Sequence, residues 1–119
     1  MKNLFDSFNS KKIMIIGDVM LDIYMKGKVE RISPEAPVPI VSVTETFSRL
    51  GGAANVAQNL KALDAEPILC SIIGDDEKAC DLLNLMQEQK MNMSGIIKSR
   101  ERVTTSKVRI IGNNAQMLR

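Results

Sequence analysis

The sequence predicts an α/β fold with a mostly parallel central sheet, helices on its faces and two short strands that leave the main sheet. Three observations carry this prediction. Ile13 to Ile16 is a continuous apolar run closed by Gly17, the pattern of a strand buried on both faces of a parallel sheet. Gly51 and Gly52 open an amphipathic helix that leads past Pro67 into a second apolar run, Ile68 to Ile73, closed by Gly74. Between these two units, Gly27, Pro34, Pro37 and Pro39 break any crossover helix, and Ile40, Val41 and Val43 favour extended chain.

Residues 1–11 are polar with scattered Leu4, Phe5 and Phe8, and read as a short helix or arm laid on the surface. Asp18 and Asp22 follow the first strand, at the carboxyl end where open α/β sheets bind ligands. Their spacing puts both carboxylates on one side if the intervening turn is helical, and Gly17 leaves a loop equally open. Each either serves a ligand or caps a turn. Two short strands that leave the main sheet are expected near Lys28–Ile32 and Pro39–Thr44, with Arg31 and Glu35 as ligand contacts or surface charges.

In the glycine-opened helix, Ala53, Val56, Ala57, Leu60 and Leu63 recur at steps of three and four and make the apolar stripe, with Gln58, Asn59 and Lys61 facing away. Gly51 and Gly52 lack Cβ atoms, so their backbone N–H groups can approach an oxygen-rich ligand. Asn55, in the first turn, either offers its amide to that ligand or helps cap its own helix.

After Gly74, Asp75 is the expected N-cap of a helix, with Asp76 and Glu77 in its first turn and Ala79, Leu82, Leu83 and Met86 as its buried stripe. Gly95 to Ile97 suggests a short strand. Thr104–Ile111 reads as a strand, joined through Gly112 and an Asn113-Asn114 turn to a hairpin partner, Ala115–Arg119.

The 119 residues suffice for one modest domain, and 45% hydrophobic with 25% charged residues is an ordinary soluble composition. Sixteen basic against fourteen acidic residues, ungathered, give no nucleic-acid footprint. The N-terminus lacks the apolar core of a signal peptide and no later run has membrane-span length, so a cytoplasmic protein is expected. Cys70 and Cys80 have no metal-ligand spacing and read as reduced core or near-core residues. The chain has no histidine, which excludes imidazole-based triads and leaves acid–base chemistry to carboxylates or lysine.

The run Gly51-Gly52-Ala53-Ala54-Asn55-Val56-Ala57, with Gly74 after the next strand, resembles the N-terminal signature of the PfkB carbohydrate kinases, the ribokinase-like family. That signature expects Gly or Ser where this chain has Asp64, the left-handed residue that stops the helix; Asp tolerates that conformation at a small cost. Ile15–Tyr24 (IIGDVMLDIY) and Arg31–Val41 (RISPEAPVPIV) look like the heptose 7-phosphate kinase branch, the kinase part of a bifunctional heptose kinase/adenylyltransferase.

The resemblance implies the N-terminal part of a ribokinase-like three-layer sandwich with a β lid at about 25–50, through which two copies form a homodimer in many members. It implies transfer of the ATP γ-phosphate, with Mg²⁺, to the anomeric hydroxyl of D-glycero-β-D-manno-heptose 7-phosphate, for ADP-heptose and lipopolysaccharide synthesis. By resemblance, Asp22 grips sugar hydroxyls, Asp18 is typical of the heptose branch, and Asn55 orients the sugar beside Gly51 and Gly52. Lys107 and Arg109 either meet the sugar's phosphate or are solvated charges on a half-exposed strand.

The glycine-rich anion hole and the catalytic-base aspartate of the family belong to a nucleotide half, and no G-A-G-D-like run or P-loop occurs in this sequence. The expected object is therefore an N-terminal fragment, residues 1–119, holding no residue that binds ATP or metal and inactive alone. The competing readings are a non-catalytic sugar-binding or dimerisation module, and a PfkB kinase for a plain sugar or nucleoside. A sheet cut through its middle is also expected to leave an open edge and an uncovered apolar face.

Overall fold

The structure, a computed structural model, describes residues 5–9 and 11–119. In chain order its elements are β1 (Lys12–Ile16), β2 (Val19–Ile32), β3 (Pro39–Gly52), α1 (Ala53–Ala62), β4 (Glu66–Gly74), α2 (Glu77–Glu88), β5 (Ile96–Ser99), β6 (Ser106–Gly112) and β7 (Ala115–Leu118). The chain divides into two compact units. The first holds residues up to Leu21 together with Leu50–Thr105, and the second holds Asp22–Arg49 with Ser106–Arg119. Of the expected N-terminal arm, Leu4 lies outside the described residues; Phe5 and Phe8 meet edge to face at 6.1 Å.

In the first unit β1, β4 and β5 form a parallel sheet in the order β1-β4-β5, with Met14 opposite Ile68 and Ile72 opposite Ile97. Both helices pack on β4. Alternation along β4 sends Leu69, Ser71 and Ile73 into the core, where they join Ala54 and Ala57 of α1 and Ala79, Leu82 and Met86 of α2. The buried Ser71 hydroxyl accepts the Val19 N–H at 3.3 Å, so this polar group is not left unpaired in the core.

The other face of this sheet is open. Met14, Ile16, Ile72 and Ile97 keep 64%, 80%, 45% and 61% of their surface exposed. The first strand is therefore not buried on both faces, because the helices cover only the side of β4 that carries Leu69 and Ile73.

The α2 stripe is as expected, with Ala79, Leu82 and Met86 buried, whereas α1 departs from its expected stripe. In α1 the buried residues are Ala54 and Ala57, while Val56 and Leu63 are exposed. Gln58 and Lys61 do not face away: Gln58 donates to the Gln89 side chain, and the Lys61 ammonium donates to the Gln89 and Lys90 carbonyls. Asp64 takes the left-handed conformation at φ 61° directly after the helix, as a stop residue should.

The N-cap of α2 is Asp76, not Asp75. Asp76 accepts the Ala79 N–H at 2.8 Å through one carboxylate oxygen and the Thr104 N–H at 2.7 Å through the other. These hydrogen bonds, that from Thr104 first, hold its pKa below the usual 3.8. Asp75 instead faces Arg100 at 3.4 Å. Both cysteines are free; Cys70 is half-buried, and Cys80 is exposed on α2 rather than near the core.

In the second unit β6 and β7 form the expected antiparallel hairpin, with Ile111 opposite Gln116 and a bulge between Ile110 and Ile111. Asn113 and Asn114 both have positive φ, 50° and 64°, as a tight hairpin turn requires. The sheet order is β3-β2-β6-β7. The Asn113 side chain extends this sheet: its Oδ1 accepts the Val29 N–H at 3.1 Å and its Nδ2 donates to the Val29 carbonyl at 3.0 Å.

The two strands expected to form a lid are longer than their apolar residues suggested, β2 and β3 running for 14 residues each. Val19, Leu21 and Ile23 are buried and alternate with Met20, Asp22 and Tyr24. Asp22 therefore sits on an extended strand, which removes the helical turn between Asp18 and Asp22.

Candidate functional site

The second unit gathers charged and aromatic side chains from β2, β3 and β6. Asp22, Tyr24 and Lys26 share one side of β2 by strand alternation, as do Glu45, Phe47 and Arg49 on β3 and Lys107 and Arg109 on β6. Contacts show that these sides coincide. The Arg109 guanidinium donates to both carboxylate oxygens of Asp22, at 3.0 and 3.3 Å, and the Lys107 ammonium lies 3.3 Å from the same carboxylate. The Tyr24 hydroxyl donates to Asp22 at 3.4 Å.

Four donors thus converge on a carboxylate that has about four lone-pair positions. The Asp22 side chain is only 13% exposed, against 30% for Lys107 and 23% for Arg109. Burial alone raises its pKa; the hydrogen bonds and charges of Arg109 and Lys107 overcome this and leave it below 3.8. Asp22 is ionised at neutral pH, and a further donor reaches it only by replacing one of its present donors. Reciprocally, Asp22 raises the Arg109 pKa.

Tyr24 and Phe47 stack with ring centroids 4.9 Å apart and planes 3° from parallel. Cations ring this pair: Lys26 at 4.8 Å from Phe47, Arg109 at 5.5 Å from Tyr24, and Arg49 at 5.5 and 5.3 Å from Tyr24 and Phe47. Lys26 also pairs with Glu45 at 3.6 Å. Tyr24, Phe47 and Arg49 were not singled out from the sequence. The signal was present in ETFSRLGG, where Phe47 and Arg49 fall two apart before the glycine pair, but it is legible only if the lid strand continues past Thr44.

In the first unit the structure brings Asp18 together with Gly51 and Gly52. Gly52 has φ 60°, and a Cβ there would lie 2.4 Å from the Asp18 carbonyl oxygen; a Cβ on Gly51 would lie 2.7 Å from Met20 Cγ. Glycine is required at 52 by conformation and space alike. The Asp18 carbonyl accepts the Ala53 N–H at 2.9 Å. Gly52, as N-cap of α1, provides no side-chain acceptor, so the first turn depends on other acceptors for its remaining N–H groups. Asn55 is exposed in that turn and, among the described residues, its amide makes no side-chain hydrogen bond, which disposes of self-capping.

The Asp18 carboxylate is exposed and lies 4.0 Å from Arg102. Both border a cleft of about 300 Å³ with apolar walls from Ile16, Cys70 and Ile72, at the carboxyl ends of β1 and β4. Arg31 and Glu35 are exposed.

Among the described residues no three His, Cys, Asp or Glu side chains are grouped to hold a metal ion, and no helix is long and apolar enough to cross a membrane.

The model of the pfkB family carbohydrate kinases matches residues 10–118. The chain is 47% identical over 109 residues to the bifunctional protein HldE of Helicobacter pylori strain P12, covering 92% of this chain and 24% of that protein. It is 41% identical over 118 residues to the bifunctional protein HldE of Citrifermentans bemidjiense, covering 99% of this chain and 24% of that protein. The chain thus spans about a quarter of the length of these curated relatives.

Among solved structures, the Methanocaldococcus jannaschii nucleoside kinase, a ribokinase family member, aligns with TM-score 0.67 at 22% identity, over 92% of this chain and 36% of that one. Halothermothrix orenii fructokinase aligns with TM-score 0.61 at 23% identity, over 89% of this chain and 35% of that one. The fold is therefore ribokinase-like, and the chain belongs to the pfkB family of carbohydrate kinases.

Proposed function

We propose that this chain is the sugar-binding and lid portion of an ATP-dependent kinase that phosphorylates the anomeric hydroxyl of D-glycero-D-manno-heptose 7-phosphate, for ADP-heptose and lipopolysaccharide core synthesis in the cytoplasm. The observation that carries the reading is the convergence of Lys107 and Arg109 on ionised Asp22. One strand pair then holds both an acceptor for sugar hydroxyls and cations for a phosphate, the two chemistries a sugar phosphate needs together. The resemblance of GDVMLD and RISPEAPVP to the heptose branch, and 41–47% identity to proteins named HldE, support this substrate class over a plain sugar.

Each residue then has a role. Asp22 accepts hydrogen bonds from sugar hydroxyls, and Lys107 and Arg109 neutralise the 7-phosphate. In the first unit, the uncapped start of α1, with Gly51, Gly52 and the Asn55 amide, offers donors to oxygen-rich groups, and Asp18 holds that start in place through its carbonyl. The lid excludes water from the transferring phosphoryl group. ATP and Mg²⁺ serve the complete enzyme; the described residues offer no acidic cluster for the metal, and no step through it is assigned to this chain. Without the anion hole and base, these 119 residues alone are expected to turn over no ATP above background.

Calorimetric titration of the chain with heptose 7-phosphate, alongside an ATPase assay, tests this. Saturable binding without ATP turnover is the expected result. A folded chain that binds no sugar phosphate, or one that hydrolyses ATP, overturns the reading.

We also propose that the lid sheet pairs two copies. The unit carries exposed Ile32, Val38 and Val43 next to an open β3 edge, a combination that an isolated sheet shields poorly. Sedimentation should show a dimer that Val43→Lys converts to monomer; a wild-type monomer at high concentration would refute it.

A further inference from the structure

Four cations surround Asp22 and the Tyr24–Phe47 stack, and three have carboxylate partners: Lys107 and Arg109 share Asp22, and Lys26 pairs with Glu45. Arg49 differs. Among the described residues it has no carboxylate within 4.0 Å and no side-chain hydrogen bond, only ring contacts to Tyr24 and Phe47. Those contacts position a guanidinium through its charge without consuming any of its five N–H donors. Its neighbours are half-committed, because Asp22 already takes the donors of Arg109 and Lys107. A strongly anionic ligand arriving at this face would find one cation with every donor unspent, and that is Arg49.

We propose that Arg49 is the residue that distinguishes a phosphorylated from an unphosphorylated ligand on this face, receiving the dianionic phosphomonoester through its planar fork. The assignment rests on the sugar-phosphate reading given above. Arg109 and Lys107 contribute to phosphate binding only as far as they release Asp22, whereas Arg49 has nothing to release. Guanidinium geometry suits the group, since two parallel N–H donors match two phosphate oxygens. The Tyr24–Phe47 stack is then the shelf that holds the fork in place, and its conformational restriction lowers the cost of ordering a long side chain on binding.

The test is a set of titrations of the full 119-residue chain with heptose 7-phosphate, unphosphorylated heptose and inorganic phosphate, for wild type, Arg49→Gln, Arg49→Lys and Lys26→Gln. Arg49→Gln is expected to weaken heptose 7-phosphate by about tenfold or more, the scale of a charge-assisted hydrogen-bond pair, and to leave unphosphorylated heptose within about twofold. Lys26→Gln removes the same charge from the same aromatic pair, and is expected to cost less because Lys26 is already matched by Glu45. Arg49→Lys, which keeps charge but not fork, should fall between wild type and Arg49→Gln, and decides the matter if Arg49→Gln fails to fold.

Equal losses for both sugars, or none, overturn the assignment. If wild type binds neither sugar, the sugar-phosphate reading fails, and inorganic phosphate then judges Arg49 alone. Saturable phosphate binding that Arg49→Gln abolishes sustains it; phosphate binding that is absent, or unchanged in the variant, overturns it.

Discussion

Replacing Asp22 by alanine is expected to lower the stability of the chain by about 2 kcal/mol and to weaken heptose 7-phosphate on the order of tenfold or more. The stability loss follows from what the substitution leaves behind. Lys107 and Arg109 are half-buried cations that lose their shared counter-charge, and the Tyr24 hydroxyl loses its acceptor. Solvent still reaches both cations, which keeps the loss below that of a fully buried pair. The binding loss follows from removing the least exposed carboxylate of this cluster, the acceptor that the proposed function assigns to sugar hydroxyls. Inorganic phosphate should behave oppositely and bind more tightly, because Lys107 and Arg109 no longer have a fixed competitor. Unchanged heptose 7-phosphate affinity in a folded Asp22→Ala protein would remove Asp22 from the site.

The same carboxylate makes stability depend on pH. Its folded pKa lies below the 3.8 of a free aspartate, as does that of Asp76. A depressed carboxylate stabilises the fold fully above the unfolded pKa, and that contribution is lost as pH falls through the folded value. Acid unfolding followed by circular dichroism below about pH 4 should therefore be less steep in Asp22→Asn than in wild type. A parallel pair of curves would show that Asp22 titrates alike in the folded and unfolded chains.

The largest loss of stability is expected from Leu69→Ala, about 3 kcal/mol, for a side chain 1% exposed on a strand against which both helices pack. Ile72, three residues along the same strand, faces the opposite way and is 45% exposed. Ile72→Thr should cost well under 1 kcal/mol and reduce self-association, since it removes part of the apolar face made with Met14, Ile16 and Ile97. Denaturant midpoints and light scattering separate the two effects. Comparable destabilisation by both substitutions would show that the open face is covered in solution.

What could be read from the chain depended on how local the signal was. Apolar runs ending in glycine marked β1 and β4, and the paired asparagines at 113 and 114 marked the hairpin, because each depends on its own few residues. The alternation of Val19, Leu21 and Ile23 was equally local, but the glycine and aspartate just before it suggested a turn and hid nine residues of β2. The α1 stripe shifted because Val56 had no partner surface: periodicity shows which residues share a face, and only packing shows which face is covered. Asp22, Lys107 and Arg109 were each identified singly, yet their union depends on β2 and β6 becoming neighbours across 87 positions. No spacing rule reports such a distance. Arg49 was missed for the same reason, since its significance comes from neighbours that lack a claim on it.

The Asn113 amide also sets a chemical lifetime for the second unit. It works there as a substitute peptide group, accepting from Val29 N–H and donating to Val29 C=O. Ageing converts asparagine to aspartate, and asparagine is among the residues that high temperature selects against. Hydrolysis of that amide, which consumes water and releases ammonia, would replace the donor with a charged oxygen facing the Val29 carbonyl, turning an attraction into a repulsion. The hairpin would lose one of its ties to β2 gradually, over the storage of the protein rather than at any melting temperature, and aged samples would carry one more negative charge beside the turn.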